Sequence, residues 1–174
     1  MDAFAGYCAL VEHRIRNVHG IVVTTRDIPE PLIGDLDGAE IQIDCALDSK
    51  QRLFLLAHLF GHSVQWNVSP RAVELGRARR PPIVEELLPE IRDYEREAAS
   101  YALSLLHEAG VTGLDQWFSD YSACDVAYLL DYYKTGDKRA FLDFWTDNAP
   151  AIAPKAIPEF TPVRRVFRRD GIVI

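Results

Sequence analysis

The stretch Gln51-Arg52-Leu53-Phe54-Leu55-Leu56-Ala57-His58-Leu59-Phe60-Gly61-His62-Ser63-Val64-Gln65 decides how the rest of the chain is read. Asp48 or Ser49, just ahead of it, can accept the free amides of a first turn, so the spacing predicts a helix over 51–65. The run 53–57 makes that helix apolar nearly all round, which places it inside the protein. His58 and His62 are four residues apart, about 40° of net rotation, so both imidazoles leave one face and can hold one metal ion. The competing reading is a pair of core histidines hydrogen-bonded to neighbours, since a buried imidazole needs a partner. Gly61 costs roughly 1 kcal/mol of helix propensity against alanine, a cost that makes sense where something, such as a neighbouring strand, packs closely.

Zinc held by two histidines normally takes a third protein ligand and leaves the fourth position to water. Residues 94–106 offer a candidate in Glu95. At about 100° per residue, Ala98, Ala99 and Ala102 fall within about 60° of Glu95, so it shares its face with small residues that let two helices approach. Glu97 lies about 200° away, where a solvated face is expected. The pattern fits Glu95 either as third ligand or as a surface residue opening its helical turn.

Outward from this centre, apolar spacing through Tyr7, Leu10, Val11 and Ile15 predicts a helix over 4–18. The β-branched run 21–25 reads as a strand. Residues 40–44, which alternate Ile41 and Ile43 with Gln42 and Asp44 after the turn signal at 35–38, read as a half-exposed second strand. Residues 67–82 form a surface excursion with a short helical piece over 70–77. Helical spacing resumes over 83–109 with Gly110 as stop, over 114–134 and over 137–146. Prolines at 150, 154, 158 and 162 then require an extended tail, with 171–174 available as a strand. The expected class is α+β: a small antiparallel or mixed sheet packed against the 51–65 helix, followed by a helical second half. The expected organisation is one domain over 1–149, with the proline-rich tail 150–174 packed on it.

The 174 residues are 48% hydrophobic and 26% charged, with a mean hydropathy of -0.08; such a chain buries one core and is not disordered. The net charge of -7 argues against broad binding to nucleic-acid phosphates. Arg164, Arg165, Arg168 and Arg169 form a local exception, and a run of this kind usually belongs to a solvated or edge-strand face. Three widely spaced cysteines, Cys8, Cys45 and Cys124, with no C-x-x-C pair, fit a reducing compartment. With no export signal or membrane-length apolar run, a cytoplasmic location is the expectation.

Three segments together resemble the ImmA/IrrE family of zinc metallopeptidase-like proteins. Residues Gly34-Asp35-Leu36-Asp37-Gly38-Ala39-Glu40-Ile41-Gln42-Ile43 look like the strand before that family's active-site helix, and Arg52-Leu53-Phe54-Leu55-Leu56-Ala57-His58 like the lead-in to its H-E-x-G-H motif. Glu95-Arg96-Glu97-Ala98-Ala99-Ser100-Tyr101-Ala102 resembles its E-x-x-A-x-x-F-A. The resemblance covers about 20–106 and implies a gluzincin-type fold with zinc held by His58, His62 and Glu95. Leu105-Leu106-His107-Glu108 departs from the family's Leu-Leu-Met-Pro, and the helices beyond carry no resemblance.

The larger departure is Leu59, which stands where peptidases of this family carry glutamate. That carboxylate takes a proton from metal-bound water and returns it to the leaving amine, typically worth ~10²–10⁴-fold, and leucine can do neither. Asp93, Glu97, His107 and Glu108 are not convincingly placed to substitute, which leaves a loop residue from 67–86 as the alternative base. Three functions are open: a metal-binding domain without standard peptidase chemistry that binds a protein or peptide, a zinc-dependent hydrolase whose base lies outside the helix, and a metal-free interaction module. On the last reading the dense aromatics at 117, 118, 121, 128, 132, 133, 141, 144 and 145 matter, although core packing explains most of them.

Overall fold

The computed structural model describes residues 2–29, 32–77 and 81–165; Arg168, Arg169 and the strand expected at 171–174 lie outside them. Eight regular elements run in the order α1 (Ala3–Asn17), β1 (Val22–Arg26), β2 (Gly34–Leu36), β3 (Glu40–Asp44), α2 (Ser49–Val68), α3 (Pro70–Arg77), α4 (Leu88–Glu108) and α5 (Asp115–Thr135). The class is α+β, with the strands early and helices throughout the second half. No described helix is long and apolar enough to cross a membrane.

The sheet is mixed, in the order β1-β3-β2. β1 pairs with β3 in parallel, Val23 opposite Ile41 and Thr25 opposite Ile43, while β2 pairs with β3 antiparallel, Gly34 opposite Ile43. Asp35 and Leu36, read from sequence as the start of the turn signal at 35–38, instead belong to a third strand, Gly34–Leu36. The turn proper follows: Asp37 Oδ1 accepts from the amides of Ala39 and Glu40 at 2.9 and 2.8 Å, and Gly38 adopts φ +96°. β3 is not half exposed as its alternation suggests. It is the central strand, and Gln42 and Asp44 are buried along with Ile41 and Ile43.

α2 is the hub of the core. Asp48 caps it, its Oδ1 accepting from the Lys50 and Gln51 amides at 2.9 Å each, while Gln51 Oε1 accepts from the Asp48 amide. Every residue from Leu53 to Trp66 is buried, and the helix packs on α1, the sheet and α4. The close neighbour at Gly61 is α4 rather than a strand: a Cβ there would lie 2.1 Å from the Ala98 carbonyl oxygen.

The helix expected over 83–109 divides into a 3-10 turn at Glu85–Leu87 and then α4. Pro89 accounts for the break, because its ring is tolerated in a first turn but clashes with the carbonyl four residues earlier if the helix continues backward. The helix expected over 137–146 does not form. Gly136, at φ +77°, ends α5 in the left-handed conformation, and only Phe141–Phe144 makes a 3-10 turn. There Phe141 packs on Tyr121 and Tyr128, and Trp145 on Tyr121, so aromatic contacts to α5 override the weak preference of a short helix. The extended segment after Asn148 is tied to α5 and α4: Ala149 and Ile152 amides donate to Asp120 and Ser119, and the Lys155 amide to the Ser100 carbonyl. Arg164, Arg165 and Val163 then reach the β2–β3 turn and the end of α2, where Arg164 pairs with Asp37 and Glu40.

Candidate metal centre

His58 and His62 face α4 across the Gly61–Ala98 contact, and the close approach of the two helices delivers Glu95 to them. His58 Nε2 lies 3.0 Å from Glu95 Oε2, His62 Nε2 lies 3.1 Å from the same oxygen, and the two Nε2 atoms are 3.0 Å apart. The three side chains are all but sealed from solvent, at 1%, 2% and 0% exposure. They form a buried group that could hold a metal ion. The spacing suits the purpose, since donors on a tetrahedral zinc at ~2.0–2.2 Å stand ~3.3–3.5 Å from one another.

The partner of His62 on its far side strengthens the fit. Gln65 Nε2 donates to the Tyr94 carbonyl at 2.9 Å and to Glu97 Oε2 at 2.8 Å, so its amide nitrogen is fixed by two acceptors. Its oxygen is left facing His62 Nδ1 at 2.9 Å. Nδ1 must therefore carry the hydrogen, and Nε2 turns a lone pair toward His58 and Glu95. With His62 Nε2 and the Glu95 carboxylate both accepting in a buried site, a cation or a proton is called for among the three groups. Tyr94 stacks on the His62 ring at 4.5 Å and accepts from Trp66 Nε1 at 2.8 Å, while Phe54 stacks on His58 at 5.3 Å.

Glu97, expected on a solvated side, keeps its carboxylate half exposed yet joins this outer network through Gln65 and an ion pair with Lys155. Burial works against its ionisation, but the hydrogen bonds from Lys155 and Gln65 prevail and hold its carboxyl below the usual range. Leu59 is fully buried on the other side of α2. A Cβ at Gly34 would come within 2.9 Å of both Leu55 and Leu59 side chains, so β2 closes over the leucine and the position of the motif glutamate is apolar contact.

The residue that sequence reasoning missed is Asp125. It comes from α5, is 9% exposed, and places Oδ2 3.8 Å from His58 Nε2. A signal existed: Phe118, Asp125 and Leu129 recur at helical spacing on the buried side of α5, and an acid in such a stripe is out of place. Gln65 also had one, three residues after His62 and so on its face. The other candidates lie elsewhere, with His107 on Asp115 and Glu108 on Arg14 and His19. None of the described residues of 67–86 lines the cavity that reaches the site.

That cavity, of about 670 Å³, opens beside His58 and Asp125 and has aromatic walls from Phe54, Trp117, Tyr121, Tyr128, Phe141 and Trp145. Several of the aromatics read as core packing are thus wall instead. Burial, with the charge of Asp125 adding, raises the Tyr121 hydroxyl and pushes the Cys124 thiol up to about 11, so both stay protonated beside it. Compared with family models, curated proteins and solved structures, the chain finds no match in any of the three.

Proposed function

We propose that this chain is a metal-binding, metallopeptidase-like domain of the ImmA/IrrE kind that its 34–43, 52–62 and 95–102 segments resemble. It holds a divalent ion, zinc by preference, through His58, His62 and Glu95, lacks standard peptidase chemistry, and acts by binding a protein or peptide in the aromatic cavity beside His58. One observation carries the reading: three buried donor atoms 3.0–3.1 Å apart, two of them on a helix where the residue after His58, Leu59, is packed into the core. Two nitrogens and a carboxylate oxygen suit zinc better than calcium or magnesium, which prefer all-oxygen shells. When bound, such an ion supplies Lewis acidity, but the residue placed to take the proton of an attacking water in a peptidase of this kind is here a leucine. The cavity favours a peptide with bulky apolar groups, since aromatic and aliphatic side chains together make up most of its walls.

Elemental analysis of protein purified without chelators tests the metal. About one equivalent of zinc is expected in the wild type and a small fraction of that in His58→Ala. Wild-type protein free of stoichiometric metal sinks the reading. Chelator-sensitive cleavage of a peptide library, abolished by His58→Ala, would instead establish a hydrolase.

A further inference from the structure

Resting on that metal reading, we propose that Asp125 is the fourth protein donor to the ion, so that the centre is closed by the chain itself rather than left open to water. Position is the first ground. Asp125 Oδ2 stands 3.8 Å from His58 Nε2, against 3.0–3.1 Å among the other three donor atoms, and donors on tetrahedral zinc are ~3.3–3.5 Å apart. Asp125 is not among the donors whose atoms all lie within 4.8 Å of one another, so completing a tetrahedral shell requires its side chain to turn farther toward His62 and Glu95 by a change of rotamer.

Charge is the second ground. His58 and His62 as neutral ligands, with Glu95 alone, would leave a dication with one unbalanced positive charge in a site almost without water, which is costly. Glu95 and Asp125 together contribute two negative charges and balance a divalent ion. The same two carboxylates within one buried cluster repel each other unless a cation or a proton lies between them, and a divalent ion lets both stay ionised. Topology is the third. Among the described residues of the cluster only His58 and Asp125 line the cavity, so Asp125 stands between the three converging donors and the space from which water or substrate would arrive.

A closed centre of two imidazoles and two carboxylates also accounts for Leu59: where no water is held, a base has nothing to deprotonate. The ion then orders α2, α4 and α5 around the cavity, and the cavity binds its ligand without hydrolysing it.

The test uses the full-length protein loaded with Co²⁺, whose visible absorption reports coordination, and titrated with azide as a probe for an open position. The wild-type spectrum is expected not to respond. Asp125→Ala, confirmed as folded by circular dichroism, is expected to respond to azide and to bind the metal about 10–100-fold more weakly in a chelator competition. Asp125→Asn, which keeps the shape and removes the charge, provides a second variant and should also lose affinity. A wild-type spectrum that shifts with azide as that of Asp125→Ala does, or equal metal affinity in all three proteins, overturns the proposal while leaving the three-donor site standing. Failure of the wild type to take up either Co²⁺ or Zn²⁺ overturns the underlying metal reading as well.

Discussion

Gly61 lacks a side chain because Ala98 leaves no room for one; a methyl group there would meet the Ala98 carbonyl at 2.1 Å. The two helices touch through backbone at this point, and Glu95, one turn before Ala98, reaches the histidines only because of that contact. Gly61→Ala gains helix propensity but must push α4 away, a net loss expected to be about 1–3 kcal/mol. Urea denaturation measures it, and a midpoint at or above that of the wild type would contradict so tight a contact. Leu59 and Gly34 form a similar matched pair under β2. Leu59→Ala empties a fully buried site and is expected to cost about 2–5 kcal/mol by the same measurement. Both glycine 61 and the histidine pair were readable in the sequence, because a helix fixes neighbours four apart; what touched the glycine was not, because a pattern of small residues does not say which element will use it.

At the scale of elements, the extended segment after Asn148 depends on α5 for its anchorage. Asp120 Oδ1 accepts from Gln116 Nε2 at 2.8 Å and from the Ala149 amide at 2.8 Å, and those bonds hold its carboxyl below the ordinary value of 3.8, the Gln116 side chain foremost. Asp120→Ala is expected to raise hydrogen exchange at Ala149 at least ~10-fold, because a hydrogen bond to a charged acceptor is lost. The pH dependence follows from the direction of the shift. A carboxyl held below its unfolded value adds stability that is complete above 3.8 and disappears as pH falls through the lower folded value. The Ala149 amide resonance should therefore hold steady at neutral pH and move only below 3.8; a transition near pH 6 would point to a different group. Helix ends at Asp48 and Gly110 were legible because caps and left-handed glycines act within a few residues. The helix expected over 137–146 was not, because Phe141 and Trp145 settle against Tyr121, far away in sequence.

For the molecule as a whole, the candidate centre joins α2 and α4, with Asp125 bringing in α5, so an ion there would clamp the helical half to the sheet-bearing half through α2. A ligand that binds only the folded state at a hundredfold excess over its Kd adds about 2.7 kcal/mol, and a chain of this size shifts Tm by roughly 2–4 °C per kcal/mol. Protein shown to contain metal should lose roughly 5–10 °C in Tm on treatment with chelator, followed by thermal denaturation; an unchanged Tm would mean that the ion clamps nothing. The sequence by itself determined the α+β class, the buried helix with His58 and His62 on one face, and Glu95 on a strip of small residues, since each rests on periodicity within one element. Only the tertiary structure decided the parallel pairing of β1 with β3, the burial of Gln42 and Asp44, the backbone contact of Gly61 with Ala98, and the arrival of Asp125 beside His58. These depend on where separate elements come to rest, and the packing energy that sets those positions is shared across the whole core rather than encoded in any one stretch of it.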